Sequence, residues 1–416
     1  MNEVKAPKGT RDIFYPEISK WQFLEAAIRD YFARFLFREI RTPIFEHSEL
    51  FTRSIGTDTE VVQKEMYTFQ DKAQRDLTLR PENTAGVIRA LLENNLLEAV
   101  FPLKFFYIGP MFRYDKPQKG RYRQFHQFGV EVLGEENPLT DCEVVFSAFD
   151  FLQRLGIKSI QLQLNSVGCR QCRPAYRQVL QQAVQSRLAD LCHDCRDKTG
   201  TNPMRIFDCK VPGCQEISAG FPVITDMLCP DCRDHFQKVQ QGLKMTGTPF
   251  VINSRLVRGL DYYTKTAFEI TSEQLGAQNA ILGGGRYDDL VQELGGPEMA
   301  GIGFAAGMER IVLHLDQPRL DMGNAVFVIH QSEAQLEAAW LLLLRLWREG
   351  IAAMMDYQPR HLKKQFKKAD RVEARYALIL GEEELRRHTV SVKDMKNQQQ
   401  VTIPAEEVIP WLKQRV

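Results

Sequence analysis

Net charge is almost absent: 54 Lys and Arg stand against 53 Asp and Glu, leaving +1 over 416 residues. A global basic field is thereby excluded, so any contact with nucleic acid has to come from local patches. Long apolar runs are missing as well. In the amphipathic stretch near the C-terminus the longest is Ala338 to Leu344, far short of the roughly 18 residues that a membrane span needs, so no membrane partner is expected. The opening residues, MNEVKAPKGTRDIF, have no apolar core; no secretory signal is read, and a cytoplasmic chain is expected. Cysteine is rare except in one region, where eight of the nine fall between Cys169 and Cys232. Without a signal, these are expected to be thiols or metal ligands rather than disulfides. Hydrophobic content of 44% and charged content of 26% suit a globular protein, and the length suggests more than one domain at roughly 100–200 residues each.

The most informative stretch is Tyr107 to Gly134, YIGPMFRYDKPQKGRYRQFHQFGVEVLG. Its arms, Phe105–Phe112 and Phe125–Leu133, are rich in aromatic and β-branched residues and read as two strands. The loop between them carries Arg113, Lys116, Lys119, Arg121 and Arg123 with Asp115 as its only acid. Such a loop is either solvated surface charge or a set of guanidinium forks for a phosphate. On the second arm Phe125, Gln127, Gly129 and Glu131 share one face, and polar groups on that face suggest a lined pocket.

Upstream, apolar residues at helical spacing predict a helix over Trp21–Phe37. An extended segment, Ile40–Phe51, follows. It carries Pro43, which suits an edge strand or an interface with a second subunit. DLTLRPENTAGVIRALLE, Asp76–Glu93, reads as a strand turning into a helix, with Glu82 and Thr84 either capping the helix or facing a site. A helix to Leu155 and a strand over Ser159–Leu164 come next. The cysteines then occur as CRQC, CHDC, CKVPGC and CPDC, spacings suited to two four-thiolate zinc sites. The alternative is a buried cluster of reduced thiols. The segments between look helical and polar, so a small insert with a thin apolar core is expected.

VRGLDYYTKTAFEI, Val257–Ile270, alternates as a strand. Gly283–Gly285 are read as permitting close approach of a ligand. GIGFAAGMERI offers only a weak dinucleotide pattern, because a loop and not a strand precedes it. Arg310 in its helix is by default a surface charge. Beyond Pro318, AVFVIH, IAAMMD, YALILG, TVSVKD and QQVTI are short strands. They are interspersed with helices over Glu333–Glu349 and Leu362–Ala374, which describes a compact α/β domain. HLKKQFKKADR is basic on one face, for solubility or for a phosphate backbone.

Together these stretches resemble the class II aminoacyl-tRNA synthetases, and within them the histidyl-tRNA synthetases, over nearly the whole chain. Pro43 and its flanks resemble motif 1, the hairpin motif 2 and GIGFAAGMERI motif 3, while RGLDYYT and GGGRYDDL are specific to the histidine enzymes. The resemblance implies an α/β (α+β) fold with an antiparallel-sheet catalytic core over residues 1–165 and 241–320. A helical cysteine-rich insertion over 166–240 and an anticodon-binding domain over 325–416 complete it.

The implied activity is ATP-dependent ligation of L-histidine to tRNA(His) by a homodimer, with ATP and Mg2+. Arg113 and Arg258 would flank the α-phosphate as catalytic groups. Glu82, Asn83, Thr84, Arg113, Gln127, Glu131, Arg258, Tyr262, Tyr263 and Tyr287 would form the histidine site; Arg113, Asp115, Arg121, Phe125 and Arg310 the ATP site. Lys116–Arg121 would meet the tRNA acceptor end. Two positions depart from the pattern: Asn83 where a small residue is usual, and Asp115 in place of glutamate. The family does not share the cysteines throughout, so the metal expectation at Cys169, Cys172, Cys192, Cys195, Cys209, Cys214, Cys229 and Cys232 rests on spacing alone. Two rivals are a histidine-binding regulatory subunit of ATP phosphoribosyltransferase, and a zinc-dependent nucleic-acid-binding module without catalysis.

Overall fold

The computed structural model describes residues 3–56, 59–96, 101–118, 120–275, 279–316 and 325–415, and the chain divides into two units, Met1–Gln317 and Pro318–Val416. The first unit opens with α1 (Ile18–Ala33), whose Trp21, Leu24, Ile28, Tyr31 and Phe32 form one buried stripe. It stops short of Phe37 because Leu36 adopts φ 62, a left-handed conformation that ends helices. β1 (Arg38–Glu39) and β2 (Phe45–His47) follow. The extended reading of Ile40–Phe51 fails after His47, since Ser48 begins α2 (Ser48–Ile55). Phe51 and Ile55 lie one turn apart there and are fully buried, and burial of that helical face overrides the local extended pattern. β3 (Tyr67–Gln70) and β4 (Asp76–Leu79) join β2 in a small sheet of order β2-β4-β3. Then comes α3 (Thr84–Glu93).

The long hairpin is β5 (Leu103–Phe112) and β6 (Gln124–Leu133), with Met111 opposite Phe125 and Tyr107 opposite Gly129. As the period of two requires, Phe128, Val130 and Val132 pack into the core with Phe32 and Phe304, while Phe125 joins a separate cluster with Tyr263 and Tyr287 on the other face. α4 (Pro138–Arg154), begun by the Asn137 side chain accepting the Leu139 N–H, and β7 (Ile160–Ser166) lead into the insert. The insert contains α5 (Cys172–Ser186), α6 (His193–Thr201), α7 (Pro212–Ser218) and α8 (Pro230–Met245). Its core is less thin than expected: Tyr176, Leu180, Val184, Ile206 and Phe236 are buried in a cluster continuous with that of the main sheet.

β8 (Val251–Ile252), β9 (Thr264–Ser272), β10 (Ala280–Arg286), α9 (Leu290–Glu293), β11 (Gly301–Gly307) and α10 (Met308–Val312) complete the unit. The strand expected from Val257 starts only at Thr264. Lys265 has φ 47, and the β9–β10 register slips between Gly285 and Arg286, a bulge that frees Val257–Tyr263 to run along the site. The main sheet has the order β1-β5-β6-β11-β10-β9-β7-β8, antiparallel except at its two ends, where β1 runs parallel to β5 and β8 to β7.

The second unit has the five strands expected, in the order β13-β12-β14-β15-β16: β12 (Val326–His330), β13 (Ala353–Met355), β14 (Tyr376–Leu380), β15 (Thr389–Asp394) and β16 (Gln400–Pro404). α11 (Glu333–Arg348) packs with Val326 and Val328; α12 (Leu362–Arg371) packs with Phe327 and Ile329. Adjacent residues of a strand face opposite ways, so the two helices cover opposite sides of the sheet. α13 (Glu382–Arg387) and α14 (Val408–Lys413) were not expected. Among the described residues, no helix is long and apolar enough to cross a membrane.

Candidate active site

One cavity of about 260 Å³ draws residues from the loop and second arm of the hairpin and from α3, β10, β11 and α10. Glu82, Thr84, Arg113, Asp115, Arg121, Phe125, Gln127, Arg258, Tyr262, Tyr263, Tyr287 and Arg310 all line it. These positions lie hundreds of residues apart in sequence, and the sheet brings them together. Lys119 lies outside the described residues.

Four arginines, Arg113, Arg121, Arg258 and Arg310, give the cavity its cationic part. Arg113 is oriented by donating Nε–H to the Pro81 carbonyl at 2.9 Å, and its guanidinium lies 5.6 Å from the Phe125 ring. Arg310 is not a surface charge: it is half-buried and donates to the Ala280 carbonyl. Burial holds the pKa of Arg310 below the arginine range, and proximity to Arg121 and Arg113 lowers it further. Arg121, paired with Asp115, is shifted down for the same reasons, burial first. Crowded, partly desolvated cations of this kind are stabilised by an anion. Arg258 is tied to Glu269 at 2.5 Å. Gly283 lies beneath it, and a Cβ there would collide with the guanidinium. Gly283 therefore makes room for the protein's own arginine while also lining the cavity, and Gly284 and Gly285 lie close against the neighbouring strands at Gly303 and Thr266.

The opposite chemistry gathers around Glu131. Its carboxylate accepts from Thr84 Oγ1 at 2.7 Å and from the Tyr287 hydroxyl, and Gly303 is a glycine because a Cβ would meet Glu131 Oε2. Burial pushes the Glu131 carboxyl up to about 8, against the pull of those two hydrogen bonds. Glu82 is also buried and also shifted upward by desolvation. It caps α3, accepting the Thr84 and Ala85 N–H groups at 2.7 and 3.1 Å, so the capping and site readings both apply to it. Tyr262 packs on Tyr263 and Tyr287 at ring separations of 4.7 and 5.8 Å. The Gln127 Oε1 is buried and lacks a partner among the described residues.

Asn83 is not brought to the cavity. Its Oδ1 accepts from Thr42 Oγ1 at 2.6 Å and Arg80 at 3.1 Å, which turns the side chain behind the site. Conversely, Tyr107 and Glu269 escaped the sequence reading. The Tyr107 hydroxyl is buried against Gly129 and has no partner among the described residues. Its place on the hairpin face opposite Gly129 could have been found from the alternation of the first arm.

The cysteines form two groups, Cys169, Cys172, Cys229 and Cys232, and Cys192, Cys195, Cys209 and Cys214, with all ligand atoms within 4.8 Å of one another in each. The first pair in sequence therefore joins the last, and the middle two join each other. Sγ separations of 3.7 and 3.9 Å in the first group and 3.9 Å in the second match the roughly 3.8 Å edge of a tetrahedron with Zn–S near 2.3 Å. Backbone N–H groups of Gln171 and Cys229 point at Sγ atoms of the first group, and those of Cys192 and Val211 at the second. Such donors are what thiolate ligands require around them.

The family model described as histidyl-tRNA synthetase matches residues 9–201 and 223–311. The chain belongs to the histidyl-tRNA synthetase family. A second model, the anticodon binding domain, matches residues 325–415. The histidine–tRNA ligase of Pelotomaculum thermopropionicum is 48% identical over 414 residues, covering 99% of this chain and 97% of the relative. That of Moorella thermoacetica is 50% identical over 409 residues, covering 97% of each. Apo histidyl-tRNA synthetase of S. aureus superposes with a TM-score of 0.83 at 36% identity, covering 99% of this chain and 100% of that one. The fold is thus the mixed α/β, antiparallel-dominated fold of the class II histidyl-tRNA synthetases. Both departures from the histidyl-tRNA synthetase pattern are accommodated structurally, Asn83 by Thr42 and Arg80, and Asp115 by Arg121.

Proposed function

We infer that this chain joins L-histidine to tRNA(His) in two steps, activating the amino acid with ATP to histidyl-adenylate and then passing it to the tRNA 3′ end, with release of pyrophosphate and AMP. The observation that carries the reading is one cavity in which a cluster of arginines adjoins Thr84 and Tyr287, the two groups that hold the buried Glu131 carboxyl just behind its wall. The arginines suit the triphosphate of ATP, brought as its Mg2+ complex. The Glu131 cluster suits a ring N–H donor, and a site of that kind rejects apolar competitors by leaving its own buried groups unpaired, a discrimination of up to roughly 10⁴–10⁵.

The chemistry follows from charge. When the histidine carboxylate attacks the α-phosphate in line, negative charge builds on the phosphate oxygens, and cations fixed beforehand stabilise that state more than the ground state. Arg113, held by Pro81, and Arg258, held by Glu269, are oriented in this sense on two different elements. Phe125 offers a ring for adenine, Arg121 and Arg310 grip the outer phosphates, and Glu82, Thr84 and Gln127 receive the α-amino group. Tyr262, Tyr263 and Tyr287 enclose the imidazole. No protein nucleophile is needed.

Residues 1–165 and 241–320 are assigned this catalysis and 325–416 the anticodon. Lys116–Arg121 is assigned the acceptor end. Each cysteine group of the insert, 166–240, would hold one structural zinc, which when bound cross-links the segments that supply the thiolates. Ile44, Phe45 and Phe69, apolar and 44–49% exposed around the small sheet, support a homodimer through the Pro43 segment; the chain works in the cytoplasm. The regulatory-subunit reading is disfavoured by the match over 325–415 and by the Arg258–Glu269 pair. ATP–pyrophosphate exchange against all twenty amino acids tests the assignment. Exchange with histidine alone is expected, and exchange with another amino acid or with none overturns it.

A further inference from the structure

The hairpin loop is held from outside by a segment with no helix or strand of its own, Pro7–Asp12. The segment makes a local turn, Thr10 donating both its N–H and its Oγ1 to the Pro7 carbonyl at 3.0 and 2.7 Å. The turn presents the Gly9 carbonyl to the Arg123 N–H at 2.7 Å. Gly9 has φ 87, and a Cβ on it would lie 2.7 Å from Arg123 Cγ. Conformation and space thus both demand glycine there. Arg11 lies 5.0 Å over the Tyr122 ring and is fixed from behind by a two-bond pair with Glu17, at 2.7 and 2.6 Å. Glu17 also accepts from Trp21 Nε1 at 3.1 Å, and Trp21 is buried in the core. The segment is therefore anchored to the start of α1 and grips two adjacent loop residues.

From Arg123 the contacts run inward. Its carbonyl accepts the Arg113 N–H at 2.9 Å, its guanidinium lies 3.8 Å over the Tyr114 ring, and its Nε donates to the Asp115 carbonyl at 3.3 Å. Asp115 in turn pairs with Arg121. One residue thus links the outer segment to Arg113, Asp115 and Arg121. The groups around the carboxylate, Thr84, Glu131 and Tyr287, bond to one another and take no part in these contacts.

We propose that Pro7–Asp12 is a positioning strap for the nucleotide half of the site, holding the loop in its ATP-binding form without touching ATP. The proposal rests on the reading of the cavity as an ATP and histidine site. An ordering element of this kind lowers the entropy cost of binding for one substrate and leaves the other unaffected.

Gly9→Val and Arg11→Ala, each made in the full chain, test it in histidine-dependent ATP–pyrophosphate exchange. The KM for ATP is expected to rise roughly 5- to 10-fold, as loss of one or two weak contacts dictates, with the KM for histidine within about twofold of the original. Hydrogen exchange at the amides of 113–116, 118 and 120–123 is expected to quicken in the same variants. An unchanged KM for ATP in Arg11→Ala, or an equal rise in both KM values, overturns the strap; should Gly9→Val not fold, Arg11→Ala carries the test. Absence of exchange in the unaltered chain would count against the function reading instead, and the hydrogen-exchange arm would still decide the strap.

Discussion

Replacing Glu131 by glutamine tests the electrostatics of the site through stability, independently of catalysis. Glu131 is 1% exposed, and burial raises its carboxyl from 4.5 to about 8 despite the hydrogen bonds from Tyr287 and Thr84. The unfolded chain releases this proton near the lower value and the folded chain near the higher. Between them the folded state binds more protons, so unfolding free energy falls as pH rises, and the loss is complete above the folded value. At 1.36 kcal/mol per unit the full loss is roughly 4–5 kcal/mol as an upper bound. Glutamine keeps the shape and cannot ionise. Whatever offset it introduces at pH 5, Tm of Glu131→Gln relative to the parent should climb between pH 5 and 9. At roughly 2–4 °C per kcal/mol for a large domain, several degrees are expected. Differential scanning fluorimetry at pH 5, 6, 7, 8 and 9 reads this directly. A Tm difference that does not change with pH would refute the raised carboxyl. Added histidine should shrink the trend in the parent, because a ring N–H donated to Glu131 favours the ionised form.

Arg258→Ala is expected to slow adenylation by roughly 10²- to 10³-fold, the usual cost of removing one preorganised contact to a developing negative charge. Near-parental pyrophosphate exchange would remove Arg258 from its role. Elemental analysis of protein purified without chelator should find about two zinc ions per chain, falling by one when Cys195 is changed to serine and by one again when Cys232 is. Less than about half an ion per chain would end the metal assignment.

How much of this was legible in the sequence depended on how local the cause was. The hairpin, the insert and all five strands of the second unit were readable because alternation, turn residues and helical spacing act over a few residues. α2 was not, since only the packing of Phe51 and Ile55 against the rest of the unit decides between helix and extended chain. Asn83 stands between Glu82 and Thr84, which line the cavity, and its position in the sequence suggests the same for it; the partners that turn it away, Thr42 and Arg80, cannot be inferred from its own surroundings. The glycine run was recognised as a place of close approach, yet the approaching group, Arg258, lies on another segment. Eight cysteines could be counted, while their division into two sets waited for the fold.

That division bears on how the main sheet assembles. β7 and β9 pair antiparallel in the sheet, Ile160 opposite Ser272 and Ser166 opposite Thr266, although the whole insert intervenes between them. The group formed by Cys169, Cys172, Cys229 and Cys232 sits at the neck of that excursion, joining the chain as it leaves to the chain as it returns. A metal ion closing that neck would shorten the path from β7 to β9 to the few residues before Cys169 and the stretch from Cys232 to Thr264, and so would lower the entropy cost of finding the β7–β9 register.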